Sequence, residues 1–180
     1  MEPIRELIAV DLEMTGLQVK TDRILEIGAV RLVDGQLRDT FQTFVNPHRR
    51  IDARITELTG IRPEMVEDAP EAEEALRKFL EFAGEAPFLG HNVIFDYSFL
   101  KQCAVNHKIS LERSALDTLK IARKVLKEPE KKSLEALCGY FQIDREHAHR
   151  AVDDAKATAE LFLMLQQKYQ QQEPGLFVPK

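Results

Sequence analysis

Two stretches near the N-terminus are almost continuously apolar, residues 7–14 (LIAVDLEM) and 23–33 (RILEIGAVRLV), and both read as buried strands. Asp34-Gly35 then signals a tight turn into an antiparallel partner, LRDTFQTFV, which Asn46-Pro47 ends. A short helical pattern around ITELTG stops at Gly60, and residues 70–83 form an acidic amphipathic helix followed by Gly84. APFLGHN reads as a short buried strand and VIFDYSFLKQCAVNH as a helix. A further strand is expected near Leu116, then a basic helix TLKIARKVLK, a helix SLEALCGYF capped by Ser133, and a last helix from about Arg150 to Gln170. Strands first, then helices alternating with short strands, predict an α/β three-layer fold with a mixed central sheet flanked by helices.

Three of these elements break their own pattern with a carboxylate. Asp11 and Glu13 stand in the first strand where Val or Ile is expected. Side chains two apart on a strand share a face, so the pair projects the same way, with Cα atoms roughly 6.5–7 Å apart. A strand end open to water would by itself tolerate the pair. Asp96 changes the balance, because it sits on a helical stripe with Asn92, Phe99, Leu100 and Cys103, in the middle of a face that should be buried. An unpaired buried carboxylate either neutralises or costs several kcal/mol, so it needs a partner.

The last helix repeats the anomaly. Its apolar face comprises Ala151, Thr158, Leu161, Phe162, Leu165 and Tyr169. Asp154 falls within that face, about 40° from its centre, whereas Asp153 is turned about 100° from Asp154, toward water. No Lys or Arg is expected on these inward faces. Four carboxylates converging without basic partners describe a site for hard cations, for which oxygen ligands suit Mg²⁺ or Mn²⁺. Two such ions ~3.5–4 Å apart handle phosphoryl displacement.

Charge narrows the class of partner. The 180 residues carry a formal net charge of -5, which excludes holding nucleic acid mainly by bulk positive charge but leaves open binding phosphate through metal ions. The two cysteines, Cys103 and Cys138, have no CxxC partner, as in a reduced, cytoplasmic protein. No apolar run approaches the ~20 residues of a membrane span, and MEPIRELIAV lacks the pattern of a signal peptide. No repeat or internal boundary is visible, so residues 1–170 are expected to form one domain, with 171–180 a tail that straps the core or is disordered.

In order along the chain, the motifs are DLEMTG with Asp11 and Glu13, HNVIFD ending in Asp96, and HRAVDD with His149 and Asp154 in a His-x₄-Asp spacing. The sequence resembles the DnaQ-like (DEDD) 3′–5′ exonucleases, in the branch that uses histidine. ILEIGAV and FVNP look like the family's strands between the first motifs, ITELTGI followed by AP looks like the connection in bacterial proofreading exonuclease domains such as that of DNA polymerase III, and the resemblance runs from about residue 7 to 166. It implies an RNase H-like fold, two divalent ions held by Asp11, Glu13, Asp96 and Asp154, and release of 5′-mononucleotides from a 3′ end. His149 corresponds to the general base that activates water, a task suited to a side-chain type with an ordinary pKa of about 6.5. One departure is Met14-Thr15-Gly16, where many DNA-directed members carry Thr-Thr-Gly; DLEMTGL is similar to oligoribonuclease, which degrades very short RNA. The resemblance therefore implies as substrate the 3′ end of single-stranded DNA or of RNA.

Met14, Thr15 and Gly16 are candidate substrate contacts beside the first motif. Leu58, with Thr59 and Ile61, either packs on a terminal base or belongs to the core. Asn92 either bonds substrate or caps the helix that follows. Lys120, Arg123, Lys124, Lys127, Lys131 and Lys132 form one basic group and Arg49, Arg50, Arg54 and Arg62 another; each reads as a solvated face or as a groove for a strand backbone. Two rival functions remain, a module that docks on a DNA polymerase or repair complex and a metal-dependent phosphatase on small nucleotides. An intact carboxylate and histidine set argues against docking alone.

Overall fold

The computed structural model describes residues 5–180. Residues 1–4, the start of the stretch in which no leader is expected, lie outside the described residues. Three antiparallel strands open the chain: β1 (Glu6–Met14), β2 (Ile24–Val33) and β3 (Gln36–Phe44). Helices α1 (Ala53–Thr59), α2 (Pro63–Val66) and α3 (Ala72–Ala83) lead to β4 (Phe88–Gly90), which pairs parallel to β1. Helix α4 (Val93–Asn106) returns the chain to β5 (Ala115–Asp117), parallel to β4. Helices α5 (Thr118–Val125), α6 (Leu134–Phe141) and α7 (Ala151–Tyr169) complete the domain, and the sheet order is β3-β2-β1-β4-β5. The expected mixed sheet is present.

The alternation of β1 builds two cores. Leu7 and Ala9 pack with Val30 and Leu32 against Ile121, Leu137, Phe162 and Leu165 of α5, α6 and α7. Ile8, Val10 and Leu12 pack with Ile27 and Ala29 against Leu76 and Phe79 of α3 and Phe99 and Leu100 of α4. Asp11 and Glu13 continue the parity of Leu7 and Ala9, so they face α7. Their cross-strand partners are Gly28 and Glu26. The backbone of α7 lies directly on Gly28, where a Cβ would stand 2.1 Å from the Val152 nitrogen. The bare strand surface at Gly28 is what lets the first turn of α7 approach the sheet.

Two elements differ from the sequence pattern. The strand expected over 86–92 is only Phe88–Gly90, because Asn92 takes a left-handed backbone (φ 63°) and its N–H donates to Asp117 Oδ1 (2.9 Å), which turns the chain into α4. The segment read as a short helix around ITELTG starts earlier, at Ala53, where the Asp52 side chain accepts the Arg54 N–H. Segment 171–180 folds back: Phe177 is buried against Phe162, and Lys180 exchanges backbone hydrogen bonds of 2.9 and 3.1 Å with Ala115 at the edge of β5. Among the described residues no helix is long and apolar enough to cross a membrane.

Candidate active site

The three motifs meet at one end of the sheet. Asp11 and Glu13 come from the C-terminal end of β1, the central strand of the sheet, and Asp154 from the first turn of α7, the helix seated on Gly28. One carboxylate oxygen from each lies within 4.8 Å of the others. Asp96 enters from the opposite face, one turn into α4, and is 6% exposed. It stands outside the tight group of three but close enough to act on both Asp11 and Glu13.

The electrostatics fit a cation. Burial first, then the charges of Asp96, Glu13 and Asp154, push the Asp11 carboxyl well above the usual range. Burial, followed by Asp154, Glu26 and Asp96, pushes Glu13 up to about 9. Asp96 is raised by burial and by Asp117. Acids that resist ionising for lack of compensating charge, and that offer only oxygen donors, form a set matched to a hard divalent ion.

The expectation that no Lys or Arg lies on the inward faces is corrected. Arg145 donates from Nε (3.0 Å) and Nη2 (2.7 Å) to Asp154 Oδ1. Arg150 donates from Nε to Glu26 Oε2 (3.0 Å), while Glu26 Oε1 accepts the Ala151 N–H (2.7 Å). Both arginines belong to the loop before α7 and its boundary, not to a periodic face, which is why a helical projection omits them. Glu26 is fully buried and works as the side-chain cap of α7, tying it to β2 opposite Glu13. A lone Glu between Leu25 and Ile27 in an apolar strand was the available signal for it.

His149 also sits in this loop, with a left-handed backbone (φ 64°), and its N–H donates to Asp154 Oδ2 (3.1 Å). The His-x₄-Asp spacing thus closes on itself as one hydrogen-bonded turn.

Register shifts between Glu13 and Met14, so β1 ends in a bulge that re-aims Met14. Thr15 is committed internally: its hydroxyl donates to Asp22 Oδ1 (3.0 Å) and accepts the Arg23 N–H (3.0 Å). Gly16 lies so close to the Asp22 carboxylate that a Cβ would stand 2.4 Å from Oδ2. Leu58 is 53% exposed on α1, while Thr59 and Ile61 are core residues. Asn92 holds the N-cap position of α4, where its carbonyl accepts the Phe95 N–H (3.0 Å), while its exposed side chain makes no cap hydrogen bond. Asp117, unremarked in the sequence, is buried and accepts the N–H groups of Asn92 and Leu119 on Oδ1, while its Oδ2 has no partner among the described residues.

The RNase_T exonuclease family matches residues 8–162. The chain belongs to that family: it is an exonuclease domain, and its fold is RNase H-like. Among curated proteins it is 45% identical over 166 residues to the PolC-type DNA polymerase III of Caldanaerobacter subterraneus subsp. tengcongensis, covering 92% of this chain and 12% of that one. The PolC-type DNA polymerase III of Bacillus subtilis is 37% identical over 161 residues, covering 88% of this chain and 11% of its own length. The chain thus spans about an eighth of these relatives. Among solved structures, Exonuclease X in complex with 5′ overhanging duplex DNA superposes with a TM-score of 0.77 at 25% identity, covering 96% of this chain and 99% of that one. The nuclease domain of 3′hExo, a DEDDh family member bound to rAMP, superposes at 0.80 with 20% identity over 92% of this chain and 94% of that one.

Proposed function

We propose that this domain hydrolyses single-stranded DNA from the 3′ end, releasing 5′-mononucleotides, with two Mg²⁺ or Mn²⁺ ions in the site. The observation that carries the reading is the convergence of Asp11, Glu13 and Asp154 within 4.8 Å at the end of β1, with Asp96 buried beside them. These four carboxylates would hold the ions. When bound, the ions supply Lewis-acid stabilisation of charge on the attacking and leaving oxygens. His149 takes the proton of the attacking water. Thr15 and Gly16 keep the loop after β1 in shape through Asp22, so that Met14 and the exposed Leu58 offer apolar surface to the terminal nucleotide. The exposed amide of Asn92 offers hydrogen bonds to the same nucleotide.

The PolC-type relatives are DNA polymerases, which supports a proofreading role beside a polymerase, in the cytoplasm, over end-trimming alone. The test is a panel of DNA and RNA oligomers of graded length, labelled at either end, with Mg²⁺ or Mn²⁺. A 5′-labelled DNA strand should give a descending ladder. Immediate release of labelled mononucleotide from the 5′ end overturns the polarity, and cleavage confined to the shortest RNAs overturns the substrate.

A further inference from the structure

The Asp154 carboxylate has more partners than a free ligand would have, and their distribution is uneven. An ionised carboxylate offers about four lone-pair sites, two on each oxygen. Oδ1 receives both Nε and Nη2 of Arg145, at 3.0 and 2.7 Å, so its sites are filled. Among the described residues Oδ2 receives only the His149 N–H, at 3.1 Å, and keeps one. The pair is secluded, with the Arg145 side chain 10% and the Asp154 side chain 7% exposed.

The geometry points to Arg145 as a positioning residue that fixes the Asp154 carboxylate and leaves Oδ2 as its oxygen for a divalent ion. The inference rests on reading the carboxylates as metal ligands, as proposed above. Arg145 and His149 lie in the same short loop, so the fork on Oδ1 and the N–H on Oδ2 hold the loop and the first turn of α7 as one unit. Rotation of the Asp154 side chain would break three hydrogen bonds at once. The guanidinium also draws Asp11 down against its burial, so it faces the whole acidic group as well as its direct partner. A lysine would keep the charge but lose the planar fork, which separates orientation from charge.

The test compares wild type with Arg145→Lys. The readouts are the Mn²⁺ concentration that gives half of the Mn²⁺-induced rise in melting temperature, the melting temperature in EDTA, and kcat and KM on a single-stranded DNA oligomer at saturating Mn²⁺. Removing a residue that orients a metal ligand typically costs 10–100-fold in affinity or activity, so the Mn²⁺ midpoint should rise by about 10-fold or more, with kcat reduced and KM little changed. Full rescue by lysine would mean that charge alone matters and overturns the inference. So does a lower melting temperature in EDTA with an unchanged Mn²⁺ midpoint, which is the signature of a merely structural residue. Should Arg145→Lys not fold, Arg145→Gln decides: weaker Mn²⁺ binding than wild type supports the inference, equal or tighter binding overturns it. If wild type itself shows neither a Mn²⁺-dependent shift nor cleavage, the metal-site reading has failed instead, and the two failures are distinguishable.

Discussion

The two sides of the site solve the same problem differently. On the α7 side the two acids that flank Asp11 and Glu13 have basic partners: Asp154 pairs with Arg145, and Glu26 with Arg150. On the α4 side Asp96 and Asp117 face one another with no salt bridge among the described residues, and Asp117 Oδ2 has no hydrogen-bond partner there. The α7 side is therefore assembled before any cation arrives. The α4 side holds Asp117 by the N–H groups of Asn92 and Leu119 and Asp96 by burial, with no cationic partner among the described residues, and gains most from a cation or a proton. Both faces of β1 carry a buried apolar core, and the basic partners come from the loop that leads into α7.

That contrast gives the largest expected effects. On the proposed role of these carboxylates in holding a Lewis acid worth several kcal/mol, Asp154→Asn and Asp96→Asn should each lower cleavage by about 10³-fold or more. Their effects on the metal-free protein should differ. Asp154→Asn leaves the Arg145 guanidinium buried without its counter-charge, at a cost of about 2–3 kcal/mol, or roughly 4–12 °C in melting temperature. Asp96→Asn removes a carboxylate that resists ionising, so the melting temperature in EDTA should hold or rise. Thermal melts of the two variants in EDTA check the comparison, and a matching loss in both would erase it.

The seat of α7 on the sheet comes next. Gly28→Ala puts a methyl 2.1 Å from the Val152 nitrogen, and backbone cannot yield as a flexible side chain would. Overpacking of this kind costs about 1–3 kcal/mol, roughly 2–12 °C in melting temperature. Lifting α7 also carries Asp154 away from Asp11 and Glu13, and a misplacement near 1 Å can cost about 10²-fold in rate. Melting and turnover of Gly28→Ala should fall together; stability lost with full turnover would separate the seat from the site.

What the sequence made legible follows from periodicity. Alternation in β1 put Asp11 and Glu13 on one face, and helical phase put Asp96 and Asp154 on buried stripes, because these side chains are aimed by their own elements. Arg145, Arg150, Glu26 and Asp117 act through space. Glu26 meets Ala151 and Arg150 across more than a hundred residues of chain, and Arg145 reaches Asp154 from a loop with no period to read. Thr59 and Ile61 could not be assigned to core or substrate from sequence, because a small satellite core under α1 and α2, with Leu25, Ile51 and Val66, exists only once the chain has folded over β2.

A smaller effect concerns pH. Asp11, Glu13 and Asp96 have folded-state pKa values raised above their ordinary ones, Glu13 to about 9. Their stabilisation of the metal-free fold is therefore complete below the ordinary carboxylate range and is lost as pH rises through their raised values, about 9 for Glu13. Divalent ions compete with the same protons, so binding tightens over the same interval. The rise in melting temperature on adding Mn²⁺ should accordingly be larger near pH 8.5 than near pH 6. Scanning fluorimetry in EDTA and in Mn²⁺ across that range checks both trends. A rise in the metal-free melting temperature with pH would contradict the buried-acid account.

The smallest effect tests the phase of α7 at adjacent residues. Asp153 and Asp154 are both acids in the first turn, and a motif read by eye could select either. The helix separates them by about 100°. Asp154 turns into the site and is 7% exposed, whereas Asp153 is 22% exposed and lies 3.9 Å from Lys156, three residues on. Its contribution is that of an acid near a helix N-terminus with one partly solvated ion pair, about 0.3–1 kcal/mol. Asp153→Asn should thus lower the melting temperature by no more than about 1–4 °C and leave cleavage within about twofold of wild type. Assayed beside Asp154→Asn in Mn²⁺, it isolates orientation from charge, since both variants remove one acid from the same helical turn. A dead Asp153→Asn enzyme with an active Asp154→Asn would mean that the acid required for cleavage sits one residue earlier, and the carboxylates at the end of β1 would then have to be completed from the other side of the helix.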